Sequence, residues 1–359
     1  MSLNKGFHRL KIADVRRETP DSVSILFDVP AELREAFRFK AGQHLTLRAD
    51  IAGADVRRTY SLCTAPGEGD FRIAIKQMPG GVFSGWANSA LAPGHEIEVL
   101  PPMGRFVPPE KTTAPCYVGI AGGSGITPVL SLLKHTLASD PKARFTLIYG
   151  NRNTLSIMFL EEIAGLKDRY LDRLEVYHVL EDEAEEIELF NGRLDRAKCD
   201  EIFSHLVNVE DVDAFFICGP GPMMDTVEAA LKERGVAPER VLVERFSTSA
   251  PTAEQLARSE VINAKAAGVE LQIVLDGRRS RVRFDPAKGN ILDSVQAAGL
   301  PAPYACRGGV CSTCRAKLLK GKATMLKNYG LTDEEVAQGY ILTCQAMPDS
   351  GDIVLSYDE

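Results

Sequence analysis

The sequence lacks the features that would direct it to a membrane or to nucleic acid. No run of about eighteen apolar residues could span a bilayer, and the first ten residues, MSLNKGFHRL, do not resemble a secretory signal. Acidic residues outnumber basic ones by 49 to 42, and the resulting net charge of −7 disfavours anionic partners. We therefore expect a cytoplasmic protein that binds neither nucleic acid nor membrane.

The sequence also lacks the cysteine patterns of zinc sites and of disulfide scaffolds. Its eight cysteines show no disulfide-like rhythm, and no second C-x2-C or Cys/His pair is present, as structural zinc sites usually require. Four cysteines instead have the C-x4-C-x2-C spacing and distant fourth member of plant-type [2Fe–2S] proteins. Gly308 and Gly309 lack Cβ atoms where this loop would curl around a cluster. The candidate ligands are Cys306, Cys311, Cys314 and Cys344.

The length and the changes of pattern along the chain predict three domains. At 359 residues the chain is too long for one hydrophobic core. The first segment has short alternating strands with turn signals between them, which predicts an antiparallel β-barrel. The second alternates strand, glycine turn and helix, which predicts a parallel α/β sheet. The third combines an Asp-Gly hairpin, a helix and the cysteine loop, which is the layout of an α+β β-grasp ferredoxin domain. The expected boundaries are 1–110, 111–247, a small polar linker at 248–268, and 269–359.

A motif in the first segment predicts a flavin site. Arg58-Thr59-Tyr60-Ser61 resembles the RxYS signature of the ferredoxin–NADP reductase superfamily, which binds flavin. Strand alternation puts Arg58 and Tyr60 on one face, so that the guanidinium can pair with pyrophosphate while the phenol packs on the isoalloxazine ring. Ser61 then offers a hydroxyl near flavin N5. The alternative interpretation is a surface arginine beside a core tyrosine.

A second motif, Gly81-Val82-Phe83-Ser84, follows at the start of an apparent helix. The resemblance implies that Gly81, Val82 and Ser84 bind the flavin pyrophosphate through backbone N–H groups and the serine hydroxyl, as helix N-termini commonly do. The pair of motifs favours the flavin interpretation over the alternative, and the same resemblance favours FAD over FMN.

The second segment contains two motifs that predict a nicotinamide nucleotide site. The stretch GGSGITP at residues 122–128 is a glycine turn between a buried strand and a helix. It departs from G-x-G-x-x-G because Pro128 occupies the third glycine position, and we expect Thr127 to cap the helix with Pro128 as its first residue. The stretch CGP at 218–220 follows a later strand. In the superfamily these motifs flank the nicotinamide, which implies binding by Gly122, Gly123, Gly125, Thr127, Cys218, Gly219 and Pro220.

The residues implied at the reacting ring are Ser61, Thr127, Cys218 and Phe246. The resemblance places Thr127 and Cys218 near the nicotinamide and makes Phe246 an aromatic cover of the flavin. A small buried thiol and a plain hydrophobic strand end are the alternatives for Cys218 and Phe246. No histidine lies near Cys218 in sequence, and hydride transfer needs no nucleophile.

The choice between NADPH and NADH depends on charges after two strands. Arg152 would suit a 2′-phosphate, whereas the acidic run Glu181-Asp182-Glu183 would repel one. Resemblance to the relatives named next favours NADPH, with NADH as the alternative.

The assembled motifs predict electron flow from NAD(P)H through FAD to a [2Fe–2S] cluster, because flavin accepts a hydride and passes electrons on singly. Over its whole length the chain resembles the reductase components of phenylacetyl-CoA epoxidases, in the domain order and in stretches such as FTLIYGNRN, LFNGRLD and NYGLTDEEVAQGYILTCQA. This implies a di-iron oxygenase partner. The reductase of 3-ketosteroid 9α-hydroxylase is the nearest alternative. A redox sensor is a third possibility, although no output domain or DNA-binding motif is visible.

Overall fold

The computed structural model describes residues 6–110, 113–246, 261–262 and 266–359. The chain divides into two compact units, residues 1–246 and 247–359, and each is described by itself. Most of the predicted linker, 248–268, lies outside the described residues. Within the described part, no helix is long and apolar enough to cross a membrane.

The first unit begins with a six-stranded antiparallel sheet, in agreement with the predicted barrel. A bridge between Leu62 and Ile73 joins the two edges of the sheet at one end and so curls it. Alternate residues such as Leu10, Ile25 and Leu47 are fully buried, as expected for strands with one face on a core. The strands are β1 (His8–Thr19), β2 (Ser22–Asp28), β3 (His44–Ile51), β4 (Ala54–Ser61), β5 (Arg72–Lys76) and β6 (Glu96–Val99), in the order β4-β3-β6-β1-β2-β5, and helix α1 covers Val82–Ala90.

The same unit continues as a five-stranded parallel sheet, as predicted from the glycine turn and the buried strands. Its strands are near-continuous apolar runs because helices cover both faces. The strands are β7 (Cys116–Gly122), β8 (Arg144–Asn151), β9 (Leu174–Leu180), β10 (Ala214–Cys218) and β11 (Val241–Glu244), in the order β11-β10-β7-β8-β9. The helices are α2 (Ile126–Ser139), α3 (Leu160–Arg169), α4 (Arg196–His205) and α5 (Gly221–Glu233).

The start of α2 differs from the prediction. The helix begins at Ile126 with Gly125 at the N-cap and no side-chain cap. Thr127 is therefore not the cap: its hydroxyl donates to the Ser124 carbonyl at 3.1 Å. Pro128 is tolerated at the third helical position because its missing N–H lies among the groups that have no helical acceptor.

The β-barrel and the α/β sheet share one hydrophobic core. Ala41, Cys63 and Phe106 from the barrel pack in the same cluster as the leucines of α2. Phe106 also meets Phe216 of β10 edge to face, with ring centroids 5.5 Å apart. The core therefore reaches from Cys63, just beyond the strand with the flavin motif, to Cys218 at the end of β10.

The second unit is a five-stranded mixed sheet with short helices, as predicted for a β-grasp domain. Strands β12 and β16 are parallel and the other pairs antiparallel. The predicted hairpin turns at Asp276 and Gly277, both at positive φ (51° and 72°), as an Asp-Gly hairpin turn requires. The elements are β12 (Glu270–Leu275), β13 (Arg278–Arg283), α6 (Ile291–Ala297), β14 (Arg315–Met325), α7 (Asp333–Ala337), β15 (Tyr340–Leu342) and β16 (Ala346–Ser356), with strand order β13-β12-β16-β14-β15.

Candidate functional site

The RxYS motif lies at the end of β4, with its residues alternating as predicted. Arg58 is exposed, and its guanidinium donates to the Arg57 carbonyl at 2.7 Å. Tyr60 is half-buried, and desolvation by burial raises the pKa of its phenol. Thr59 points to the other face, and Ser61 is buried. Arg58 can thus reach a ligand from solvent while Tyr60 presents a largely desolvated neutral ring beside it.

The GxxS motif begins α1 and contacts the first motif through aromatic packing. Gly81 is the N-cap, and Val82 is 54% exposed at the first helical position. The Tyr60 and Phe83 rings lie 5.6 Å apart. The Ser84 hydroxyl accepts the Met78 N–H at 3.1 Å, so in this structure it closes the turn before the helix. Its contact with a pyrophosphate stays a prediction.

Two buried polar groups beside the motif fit a bound flavin. The Ser61 hydroxyl is 2% exposed as a residue and has no hydrogen-bond partner among the described residues. His44, directly opposite Ser61 on β3, is 5% exposed, and neither of its ring nitrogens forms a hydrogen bond among the described residues, although Nδ1 faces the Glu244 carboxylate. Buried polar groups usually find a partner, so a ligand with hydrogen-bonding edges, such as the flavin ring, suits this place.

Sequence reasoning missed His44 and Glu244. The Nδ1 atom of His44 lies 3.4 Å from Oε1 of Glu244 at the end of β11. Gly104 leaves room for the imidazole, since a Cβ there would lie 2.9 Å from the same nitrogen. The available signals were a histidine in GQHLTL and an acid two residues before Phe246, and neither is specific alone.

The two nucleotide motifs meet backbone to backbone. A Cβ on Gly125 would lie 2.0 Å from the Cys218 carbonyl oxygen, and one on Gly219 would lie 2.9 Å from the Gly122 nitrogen. Pro220 completes the contact, because its Cδ is 2.7 Å from the position of a Gly122 Cβ. The structure therefore brings together the glycine turn and CGP, as the resemblance implied.

The turn is held from the neighbouring strand as well. The Tyr149 hydroxyl of β8 donates to the Gly123 carbonyl at 3.0 Å. Gly123 has φ +52°, which L side chains adopt only with strain. Thr127 is 1% exposed. This is a fixed turn at the carboxyl end of a parallel strand, where such sheets bind nucleotides.

Cys218 is fully buried and neutral. It lies between Ala121 of β7 and Glu244 of β11. Burial, and secondarily the charge of Glu244, raises the pKa of the thiol well above its usual value. A thiol in this environment is no nucleophile, as expected for a site of hydride transfer; its place beside the nicotinamide stays a prediction. Phe246, just beyond β11, is half-buried against the shared core.

The residues at the predicted phosphate corner carry both signs of charge. Arg152 is 62% exposed in its side chain, with a nitrogen 3.5 Å from the Asp21 carboxylate of the barrel. Glu183 accepts hydrogen bonds from the backbone N–H of Thr154 at 3.0 Å and from its hydroxyl at 2.5 Å. The Glu183 carboxylate therefore takes up the hydrogen-bond donors of Thr154, two residues after Arg152, the predicted phosphate ligand.

The four predicted cluster cysteines converge in the second unit. Cys306 is half-buried, and Cys311, Cys314 and Cys344 are buried. The loop is tightly curled, with positive φ at Arg307, Gly309 and Ser312. Backbone N–H groups point at sulfur, with Gly308 donating to the Cys306 Sγ at 3.3 Å and Cys306 to the Cys311 Sγ at 3.4 Å.

The thiols form two pairs, which fits a cluster of two irons. Cys306 interacts with Cys311, and Cys314 interacts with Cys344. Among the described residues, no three potential ligands surround one point as a single metal ion would need. A two-iron cluster requires two thiolates at each end instead. A hydrogen bond from Cys311 and bonds from loop N–H groups hold the pKa of Cys306 below its usual value despite burial, while the same contact and burial raise the pKa of Cys311.

Two further side chains hold the cluster loop, and sequence reasoning missed both contacts. The Arg307 guanidinium stacks on Tyr304 at 4.5 Å and donates to Asp293 and Gln296 of α6, each at 2.5 Å. The Gln345 amide donates to the Arg307 carbonyl at 2.9 Å and approaches the Cys344 Sγ at 3.8 Å. These contacts tie the first cysteine to the last.

Comparison with known proteins defines the class. Three family models match in order: an oxidoreductase FAD-binding domain over residues 9–107, an oxidoreductase NAD-binding domain over 120–229, and a 2Fe-2S iron-sulfur cluster binding domain over 273–349. The solved structure of phthalate dioxygenase reductase covers 98% of both chains at 25% identity, with a TM-score of 0.59. The chain is therefore an NAD(P)H-dependent oxidoreductase that uses FAD and a [2Fe–2S] cluster, and these cofactor predictions are confirmed.

Curated relatives narrow the class to a family. One subunit of the 1,2-phenylacetyl-CoA epoxidase from Escherichia coli (strain K12) is 41% identical over 98% of both chains. The ferredoxin reductase component of 3-ketosteroid-9-alpha-monooxygenase from Rhodococcus rhodochrous is 37% identical over 94% of this chain and 93% of that protein. The chain belongs to this family of oxygenase reductase components, which includes the matching subunit of phenylacetyl-CoA epoxidase.

Proposed function

We propose that this protein passes electrons from NADPH to a di-iron oxygenase that epoxidises phenylacetyl-CoA. The observation that carries the proposal is the 41% identity to a subunit of phenylacetyl-CoA epoxidase over 98% of both chains. The order of transfer follows from the cofactors: flavin accepts the hydride of NADPH and releases electrons singly, which a [2Fe–2S] cluster accepts.

The residues of the first unit supply placement and not acid–base chemistry. Arg58 and the N-terminus of α1 at Gly81 would hold the flavin pyrophosphate, with charge and backbone dipoles of the appropriate sign. Tyr60 would pack against the flavin ring, and the unpartnered Ser61 hydroxyl would bond to the ring edge. Thr59, Val82 and Ser84 complete the proposed FAD contacts.

The facing motifs would position the nucleotide. The turn Gly122–Thr127 and the segment Cys218–Pro220 pack so closely that a Cβ added to Gly125 would clash with the Cys218 carbonyl. A nicotinamide bound there would lie at the carboxyl ends of β7 and β10. The buried neutral thiol of Cys218 and the Phe246 ring would exclude water from the reacting face. Excluding water prevents loss of reducing equivalents to solvent.

In the second unit the two cysteine pairs would bind the cluster. Cys306 with Cys311, and Cys314 with Cys344, would supply the thiolate ligands as two pairs. Loop N–H groups that point at sulfur would stabilise the reduced, more negative cluster. The domain boundaries proposed from the sequence remain 1–110, 111–247, 248–268 and 269–359.

Reconstitution tests the acceptor. Consumption of NADPH, with NADH in parallel, is measured for this protein mixed with phenylacetyl-CoA oxygenase subunits, with and without phenylacetyl-CoA. Stimulation by phenylacetyl-CoA supports the proposal. No stimulation, from protein with intact flavin and cluster spectra, refutes this acceptor. A 3-ketosteroid 9α-hydroxylase system is then the next to try, because its reductase is also similar over nearly the whole chain.

A cluster variant tests the electron path separately. Cys311→Ser removes one ligand and should abolish reduction of cytochrome c, while reduction of ferricyanide at the flavin continues. A variant that keeps its FAD and loses both activities would contradict the path. Cys116→Ser, which changes a cysteine at the far end of β7, is the matched control and should retain both.

A further inference from the structure

Helix α2 is enclosed on every side, unlike an ordinary surface helix of an α/β sheet. Ser131 is fully buried and Lys134 is 6% exposed, although both carry polar side chains. They lie three residues apart and so share one helix face, and their bonds lead to the barrel. Because this polar face is buried between two folded layers, its side chains bond to specific protein groups and not to water.

The Ser131 hydroxyl bonds to the barrel at two places. It donates to the Thr64 carbonyl at 2.6 Å and accepts the Gly42 N–H at 3.3 Å. Thr64 comes three residues after Ser61, at the exit of β4, and Gly42 comes two residues before His44, at the entrance of β3. One hydroxyl thus holds both chain segments that flank the paired strands of the flavin motif.

The helix leads directly from this tie to the nucleotide turn. Ser131 follows Thr127 by four residues, which is about one helical turn and ~6 Å along the axis. Lys134, one turn further, forms ion pairs with Glu68 of the barrel loop at 3.2 Å and with Glu162 of α3. The helical segment from Thr127 to Lys134 therefore connects the nucleotide turn to the barrel residues that Ser131 and Lys134 contact.

We propose that Ser131 is a positioning residue that sets the separation between flavin and nicotinamide; the inference rests on the function proposed above. Hydride transfer requires the reacting atoms within about 3–3.5 Å, and a misplacement of about 1 Å can cost a factor of about 100 in rate. Without the hydroxyl, the Thr64 carbonyl and the Gly42 N–H lose their common partner in a place with no access to water. The barrel and α2 then relax relative to each other.

Two variants and one control test this role in the full-length holoprotein. Ser131→Ala removes the hydroxyl, and Ser131→Cys fills the space with a weaker hydrogen-bonding group. Ser139→Ala is the control, because Ser139 is exposed at the end of the same helix. Single-turnover flavin reduction is followed by absorbance with NADPH and with its 4-deuterated form, and FAD content is measured first.

Both Ser131 variants should reduce their bound FAD at least about tenfold more slowly, with a larger deuterium isotope effect and little change in nucleotide affinity. Hydrogen exchange at the Gly42 amide should accelerate in both. A merely structural serine would lower thermal stability or FAD content while the FAD-loaded fraction kept the wild-type rate and isotope effect. That result, or unchanged Gly42 exchange in Ser131→Cys, overturns the proposal. Failure of the wild type to be reduced by either nucleotide would instead refute the proposed function.

Discussion

Gly125 offers the sharpest test of how the nucleotide site is built. Its backbone dihedrals, φ −62° and ψ −10°, are open to any residue, so glycine is not needed there for its conformational freedom. It is needed for space, since an added Cβ would lie 2.0 Å from the Cys218 carbonyl oxygen. Gly123 shows the opposite case, with φ +52° but nothing within 4 Å of an added Cβ.

The magnitude for Gly125→Ala follows from that contact. An ordinary Cβ contact is 3.4–4 Å, so the turn and the end of β10 must separate by about 1.4 Å or more. Overpacking of this kind costs about 1–3 kcal/mol, which lowers the melting temperature by roughly 3–10 °C for a unit of this size. Because the turn and Cys218 would flank the nicotinamide, we expect hydride transfer to slow by about 100-fold.

Single-turnover reduction of the flavin measures the rate, and thermal unfolding followed by flavin fluorescence measures stability. Gly165→Ala is the matched control, since Gly165 is exposed on α3 with nothing within 4 Å of its Cβ position. That change should raise stability by about 0.5–1 kcal/mol and leave the rate alone. If Gly125→Ala retains FAD and reduces it at the wild-type rate, the close backbone contact between the glycine turn and Cys218 does not position the nucleotide.

Three other changes give separable outcomes. Lys134→Met should lower stability by about 1–2 kcal/mol, because both carboxylate partners are about 40% exposed and regain water. Burial alone would lower the pKa of Lys134, but the charges of Glu162 and Glu68 raise it above its usual value. The stability difference between Lys134→Met and wild type should therefore persist at neutral pH and disappear only in alkaline solution; a difference lost near pH 7 would contradict this. Glu183→Gln should raise the preference for NADPH, measured as its kcat/KM divided by that for NADH, about fivefold, because it removes a negative charge beside Thr154. An unchanged preference would mean that the 2′-phosphate binds elsewhere. Gln345→Leu should lower the cluster potential in an EPR-monitored titration, since a donor to the Cys344 sulfur is lost; an unchanged or raised potential would refute that contact.

The parts of the fold and site that the sequence could predict are those whose determinants are local. The spacing from Cys306 to Cys314 specifies a loop that can surround a cluster, and it does so without contacts from distant parts of the chain. The Asp276-Gly277 turn specifies its own hairpin. The glycine turn at 122–125 follows directly from a buried strand, so its place at a strand end needs no tertiary information.

What the sequence could not predict depends on contacts between distant segments. The expected cap at Thr127 was wrong because Gly123–Gly125 already form a helical turn that runs directly into α2, so the helix begins at Ile126. The pairing of His44 with Glu244 joins the barrel to the last strand of the α/β sheet, 200 positions apart. No local pattern distinguishes that histidine from one that is simply buried.

The all-round burial of α2 links these observations. An amphipathic pattern is expected for a helix that covers one face of a sheet, yet buried positions follow almost continuously from Ile126 to Leu137. Such a pattern requires a second layer, and the barrel supplies it. A protein that holds a hydride donor and acceptor at a fixed distance needs its two binding layers joined by something stiff, and a helix packed on both sides is stiffer than a linker. The burial of α2 is therefore what we would require of a hydride-transferring pair of domains. Ser131 adds directional hydrogen bonds that fix the helix against the barrel.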